Sequence, residues 1–317
     1  MIKYVGGERM INQENIEKLF DCFDESAILL YDAYKTPYIE GLVITCENIM
    51  SNSVEEKYGD IRDQLELLID SIADIEFEKE EIRKAFQYAC LKGFKHANIS
   101  NQMITPDSIG ILINYLISKL YQSKELVILD PLVGTGNLLT AVANQSDLNL
   151  KLVGVDSDMS SYKLTSALMD LLGYGDQVFL QDTMSFTYPE THGIITDFSG
   201  LDEISCYEII GHHHKNVLAG GFLIGVFDAE NVAPEVLVKH AKDLSEQWIL
   251  FGLITLPQSL FKNLMKNIVI FQRNGDSVTQ PEKILLVDWP GFSEKDELKK
   301  VIDQLNHWFQ YTEFFKL

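Results

Sequence analysis

The chain falls into two stretches of different hydrophobic rhythm. From residue 12 to about 95, apolar side chains recur at helical spacing, as in Ile61, Leu65, Leu68, Ile69 and Ile72, while Glu and Lys fill the positions between them. A repeat of three to four residues predicts helices with one buried stripe, so this stretch reads as an N-terminal helical bundle. Thr36-Pro37 predicts a helix start, with Thr36 as cap, Pro37 in the first turn and Glu40 completing a capping box. The stretch holds no catalytic grouping, and a structural or partner-docking role is its default.

From about Thr105 the rhythm changes to apolar runs of strand length alternating with helical patterns. Strands are expected near 126–130, 151–156, 177–181, 193–197, 221–227, 248–255, 267–272 and 283–288. Helices are expected near 105–121, 136–145, 158–172, 203–219, 232–243 and 293–310. This alternation predicts an α/β fold with a mostly parallel, Rossmann-like sheet wrapped on both faces. The last two strands flank Arg273-Asn274-Gly275-Asp276-Ser277 and are expected to pair as a hairpin. Ala219-Gly220-Gly221 is expected to stop the helix before the fifth strand. Two domains are expected, 1–100 and 101–317.

Candidate chemistry concentrates in residues 127 to 140, an apolar strand that ends in Asp130-Pro131 and runs through Gly134-Thr135-Gly136 into a helix. Glycines allow a tight turn and close backbone approach, and the first amides of the helix face the same spot. A second strand ends in Asp156, 20 positions after Gly136, where a carboxylate can accept both hydroxyls of a ribose. The turn alone suits any strand-to-helix crossover; the downstream acid favours a nucleoside. A nicotinamide fingerprint needs a third glycine where Leu139 stands, and the Gly-Lys-Ser/Thr of a triphosphate loop is absent. Asp130 would repel a pyrophosphate but suits an ammonium group. S-adenosyl-L-methionine carries such an ammonium and no phosphate.

Asp130-Pro131-Leu132-Val133-Gly134-Thr135-Gly136 resembles the first motif of class I S-adenosylmethionine-dependent methyltransferases, in the form found in the N6-adenine DNA methyltransferase group. Asn101-Gln102-Met103-Ile104-Thr105-Pro106 resembles a segment of type I modification subunits, and Val178 to Asp182 the strand whose last residue meets the cofactor adenine. Leu256-Pro257-Gln258-Ser259-Leu260-Phe261 is similar to a late segment of the same group, within which the chain looks most like stand-alone adenine-methylase-like proteins of Gram-positive bacteria. The resemblance implies a class I methyltransferase sheet with an antiparallel strand added at one edge. It implies cofactor contacts at Thr105, Asp130, Pro131, Gly134, Gly136, Asp156 and Asp182. Where the group has Asn/Asp-Pro-Pro-Tyr/Phe, this chain has Asp197-Phe198-Ser199-Gly200. Asp197 is the expected acceptor for a target amine, and Phe198 a stacking face if the strand end shifts by a residue or two. The prolines that would aim a backbone carbonyl have no replacement.

Composition limits the partners. The 317 residues carry a formal charge of −21, and residues 1–100 alone hold 11 Lys and Arg against 20 Asp and Glu, so neither half is a basic module. DNA is therefore disfavoured unless a partner supplies the contact or cations gather locally. Lys262, Lys266 and Arg273 are the local candidates, with scattered solvated charges as the plainer account. A protein partner docking on the N-terminal helices would reconcile charge and fold. Four cysteines show no Cys-x-x-Cys spacing and are expected to be small buried apolar residues. His212-His213-His214 on a helix point in three directions, so no metal site is expected and partly exposed positions are. With no membrane-length apolar run or signal-peptide core, a cytoplasmic location is expected. The expected activity is S-adenosylmethionine-dependent methylation of the N6-adenine DNA type. The alternatives are a non-catalytic cofactor-binding or docking protein, and an RNA or protein methyltransferase.

Overall fold

The computed structural model describes residues 3–4, 11–97, 104–175, 177–261, 264–291 and 293–317. In chain order its elements are β1 (Lys3–Tyr4), α1 (Gln13–Tyr34), α2 (Tyr38–Ser51), α3 (Arg62–Asp70), β2 (Glu76–Phe77), α4 (Lys79–His96), α5 (Asp107–Leu120), β3 (Glu125–Asp130), α6 (Asn137–Asn144) and β4 (Asn149–Asp156). There follow α7 (Met159–Leu171), β5 (Val178–Leu180), β6 (Thr191–Asp197), α8 (Glu203–His213), β7 (Val217–Asp228), α9 (Pro234–Asp243), β8 (Trp248–Thr255), β9 (Lys266–Arg273), β10 (Leu285–Asp288) and α10 (Lys295–Tyr311). They form two compact units. The first comprises Met1–Ile104, Gly134–Asn144 and Asp156–Leu180; the second comprises Thr105–Val133, Gln145–Val155 and Gln181–Leu317.

In the first unit the apolar stripes of α1, α2 and α4 meet around Leu19, Phe23, Leu42 and Phe86, all buried, with the Phe23 and Phe86 rings edge to face at 6.2 Å. Gly41 lets α2 come close to α1, since a Cβ there would lie 3.0 Å from the Ala27 Cα. The same core takes in Leu164, Leu168, Leu171 and Leu172 of α7 and its end. The N-terminal helices therefore bury their apolar faces partly on a helix from much later in the chain. Cys22, Cys46 and Cys90 are buried in this cluster, and Cys206 is buried elsewhere, all four as free thiols. The capping box expected at Thr36 does not form. Pro37, at φ −54° and ψ 142°, is itself the residue before the helix, and no side chain caps α2. Glu81 of α4 does that kind of work, accepting the amides of Glu78 at 3.1 Å and Asn12 at 2.6 Å.

The large sheet has eight strands in the order β10-β8-β9-β7-β6-β3-β4-β5; β5 and the last residue of β4, Asp156, belong to the first unit and the rest to the second. Strands β3, β4, β6 and β7 run parallel, as do β8 and β10, whereas β9 lies antiparallel between β7 and β8. The expected hairpin of the last two strands is thus corrected. Lys266 to Gln272 are all buried, which requires a strand paired on both edges, while β10 alternates buried and exposed residues as an edge strand does. The helix expected to reach 219 also ends early. Helix α8 stops at His213, and Ala219-Gly220-Gly221 lie inside β7. Gly220 has φ 86°, and a Cβ there would come within 2.3 Å of the Phe315 ring, so these glycines serve strand packing rather than a helix stop.

Parallel pairing brings the last residues of β3, β6 and β7, namely Asp130, Asp197 and Asp228, to one edge of the sheet. The antiparallel β9 delivers its first residue, Lys266, to the same edge. Because α7 completes the helical core, Leu168→Ala is expected to cost about 2–5 kcal/mol. Urea unfolding followed by circular dichroism measures it.

Candidate functional site

One structural habit recurs at the strand ends. Asp130, Asp156, Asp182 and Asp197 each accept, on Oδ1, the amide of the residue two positions on: Leu132 (3.0 Å), Asp158 (2.8 Å), Met184 (2.8 Å) and Ser199 (2.9 Å). Each carboxylate closes the turn that follows its strand and leaves Oδ2 for other partners.

In the first unit, Asp156 spends Oδ2 on the glycine loop, accepting the Gly134 amide at 2.9 Å. Gly134 and Gly136 have φ of 55° and 73°, the left-handed region that favours glycine. A Cβ on Gly136 would also lie 2.9 Å from the Thr165 methyl, and the Thr165 hydroxyl donates to the Gly134 carbonyl at 2.6 Å. The loop is thus held from below while Asp156 stays half-buried at the strand tip, where burial raises its carboxyl above the usual range. Residues 131–137 contain no Lys or Arg to pair a phosphate. A glycine cradle with an accessible carboxylate fits an uncharged nucleoside end.

Helix α4 grips the helix that follows this loop. Arg83, fully buried, forms a bidentate pair with Glu80 (2.8 and 2.6 Å) and donates to Asn137 Oδ1 at 2.6 Å, in the first turn of α6. At the other end of α6, Asn144 donates to Glu80 at 3.1 Å and accepts from the Tyr174 hydroxyl at 2.8 Å. Sequence reasoning missed this bracket. Its one local trace is the i, i+3 spacing of Glu80 and Arg83.

In the second unit, Asp130 is buried and also accepts from the Thr196 hydroxyl at 2.7 Å. Pro131 follows it, buried in the turn. Asp182 is exposed at the start of the short turn Thr183–Ser185. Thr105 and Asp197, 92 residues apart, meet through a 2.6 Å hydrogen bond from Thr105 Oγ1 to Asp197 Oδ2. Ser199 Oγ donates to Asp197 Oδ1 and accepts from Lys266 Nζ.

Phe198 lies elsewhere than its expected stacking role requires. Its ring is fully buried and stacked on Phe227 at 4.5 Å, over Gly225, where a Cβ would come within 2.9 Å of it. Asp197, the last residue of β6, is half-buried, whereas Phe198 just beyond the strand is fully buried. A half-buried ring beside Lys266 is Phe261, whose centroid lies 5.2 Å from Nζ.

The remaining candidates are engaged in structure. Arg273 directs Nε and Nη1 to the carbonyls of His214, Gln247 and Asn274, each at 2.9 Å, which gives it a structural role. Lys266 is 4% exposed. Lys262, and Asn101 to Met103 of the segment before Thr105, lie outside the described residues. The three histidines make separate contacts: His212 with the Phe186 carbonyl, His214 with the Gly211 carbonyl, and His213 with Thr183 and Asn216. Contrary to expectation, His213 is fully buried. Among the described residues no group of three or more His, Cys, Asp or Glu could hold a metal ion, and no helix is long and apolar enough to cross a membrane.

Comparison with known proteins gives this geometry a context. A crystal structure from Listeria monocytogenes, assigned as a class I S-adenosylmethionine-dependent methyltransferase, superposes with a TM-score of 0.85 at 27% identity, covering 94% of this chain and all of that one. The chain has a class I methyltransferase fold. Residues 17–94 match the family described as the YtxK N-terminal helical domain. Over 95% of its length the chain is 28% identical to YtxK of Bacillus subtilis, itself uncharacterised, and spans 99% of that protein. Methyltransferase subunits of type I restriction systems share the fold at 13% identity. That from Streptococcus thermophilus has a TM-score of 0.57 over 90% of this chain and 74% of its own, and that assigned in Vibrio vulnificus 0.55 over 79% and 64%.

Burial, reinforced by the neighbouring Lys215 ammonium and the His212 ring, pushes the His213 imidazole down to about 3. The unfolded chain takes up a proton near pH 6.5 that the folded imidazole refuses, so this contribution to stability is complete above about pH 6.5. It is lost as pH falls toward 3, at up to about 1.4 kcal/mol per pH unit. Urea midpoints between pH 7 and 4 are expected to fall less steeply in His213→Gln than in the wild-type chain.

Proposed function

We propose that the chain binds S-adenosyl-L-methionine and transfers its methyl group to a nitrogen, with the N6 amine of adenine in DNA as the leading acceptor. The observation that carries the reading is the pairing of the left-handed glycine loop with Asp156 through the Gly134 amide. The full-length likeness to the Listeria methyltransferase supports it. In this reading Gly134 and Gly136 allow close backbone approach and Asp156 takes the ribose hydroxyls. Asp130, Pro131 and Thr105 serve the methionine end, and Asp182 the adenine. Bound there, the cofactor supplies an electrophilic methyl on a sulfonium.

Asp197 is the residue for the acceptor. An exocyclic amine is a weak nucleophile because its lone pair is delocalised into the ring, and a carboxylate that accepts its N–H returns electron density to nitrogen and takes up the proton released on methylation. Thr105 holds Oδ2 at 2.6 Å while leaving that oxygen a second lone pair. Phe261, rather than Phe198, offers the aromatic ring at this edge. The charge of −21 assigns long-range attraction of a polyanion to a partner protein, for which the N-terminal helices are the proposed dock.

A second reading, a cofactor-binding protein without transfer, is favoured by the inward Phe198 and the missing proline pair. RNA and protein acceptors belong to the first reading with a changed substrate. Labelled cofactor supplied with adenine-containing duplex DNA, ribosomal RNA or cell lysate separates them. Incorporation into one substrate, reduced about 100-fold or more in Asp197→Ala and accompanied by weaker cofactor binding in Asp156→Ala, is the expected result. Calorimetric binding with no labelled macromolecule in any arm would count for the second reading.

A further inference from the structure

Lys266 has no part in the roles assigned above, yet it is a cation built into this strand edge. At 4% exposure a lysine keeps its charge only with partners. Lys266 has Ser199 Oγ, which accepts from Nζ, Asp228 Oδ1 at 3.5 Å, and the Phe261 ring. Antiparallel register sets Asp228 directly opposite Lys266, so strand pairing itself brings the ion pair together. Asp228 Oδ2 in turn accepts the Gly200 amide at 2.8 Å, which anchors the loop after Asp197.

Donor counting decides the consequence. An ammonium only donates, so Ser199 Oγ must accept from Lys266, and its own single proton is left for another acceptor. The acceptor in place is Asp197 Oδ1, which also takes the Ser199 amide at 2.9 Å. With Thr105 on Oδ2, three donors hold the carboxylate. The cation also offsets two carboxylates, Asp197 and Asp228, that end neighbouring strands.

We propose that Lys266 is a positioning residue for methyl transfer. By donating to Ser199 it commits the serine proton to Asp197, and so fixes the acceptor carboxylate at the place where the N6-adenine group relies on prolines. The inference rests on the reading of Asp197 as the group that meets the substrate N–H. It assigns the rigidity of this strand end to a hydrogen-bond chain, Lys266 to Ser199 to Asp197, in place of a fixed backbone angle.

Two measurements test it. The first follows methyl transfer from labelled S-adenosylmethionine to whichever of adenine-containing duplex DNA or ribosomal RNA the wild-type chain labels. Lys266→Met and Ser199→Ala are each expected to lower kcat about 10- to 100-fold, with KM for the cofactor changed less than about twofold. Lys266→Arg, which keeps the charge and the donors, is expected to recover most of that loss. An unchanged kcat in Lys266→Met, or a loss confined to KM, overturns the proposal.

The second measurement is independent of activity. Crystal structures of the wild-type and Lys266→Met chains, or of Ser199→Ala if Lys266→Met does not fold, are compared at Asp197. The expected result is a changed Asp197 rotamer with the hydrogen bond to Thr105 lost or lengthened. An unmoved carboxylate overturns the proposal even where the wild-type chain labels no acceptor. That last failure would belong to the methyltransferase reading alone.

Discussion

Asp130, Asp156 and Asp197 end their strands and Asp182 follows β5 by two residues, and each gives one carboxylate oxygen to the amide two residues further on. The constraint behind this is elementary. A parallel strand that runs into a tight turn leaves amides without ladder partners, and a short acidic side chain at the last strand position is the nearest acceptor. The oxygens that remain take further partners within each unit. Asp156 uses its second oxygen to hold the glycine loop, Asp197 uses its second for Thr105, and Asp130 places Thr196 beside the Leu132 amide on one oxygen. The same carboxylates that build the turns are the ones to which the proposed function assigns ligand contacts.

Much of this was legible in the chain itself. Buried strands such as Leu126 to Asp130 and Leu152 to Asp156 are continuous apolar runs closed by an acid, and their ends fell within a residue or two of expectation. Pairing was less legible, because which strands pair depends on the whole sheet. The turn after Arg273 looks like a hairpin, yet β9 pairs with β7 and β8, and only its unbroken burial marks it as a central strand. Face was misjudged at Phe198, where one residue of phase separates a ring open to a ligand from one packed on Phe227.

The pairings among polar residues were less visible than the residues themselves. Lys266 reaches Ser199 across 67 positions, Thr105 reaches Asp197 across 92, and Arg83 reaches Asn137 across 54. No local pattern announces such pairs, because only the packing of distant segments brings the partners together. The triple histidine shows the converse. A conspicuous run of residues resolves into separate contacts, one of them the buried hydrogen bond between His213 and Asn216.

The bracket that Arg83 forms with Glu80 and Asn137 has a consequence for how such a chain can change over time. A guanidinium sealed from water tolerates few rearrangements, because every donor that loses its acceptor is stranded. Drift at position 137, just beyond the glycine turn, is thereby tied to drift at positions 80 and 83 in a helix far earlier in the sequence. The helical segment and the nucleotide-fold segment cannot be exchanged independently between relatives: a chimera joined near residue 100 inherits a lock from one parent and a key from the other.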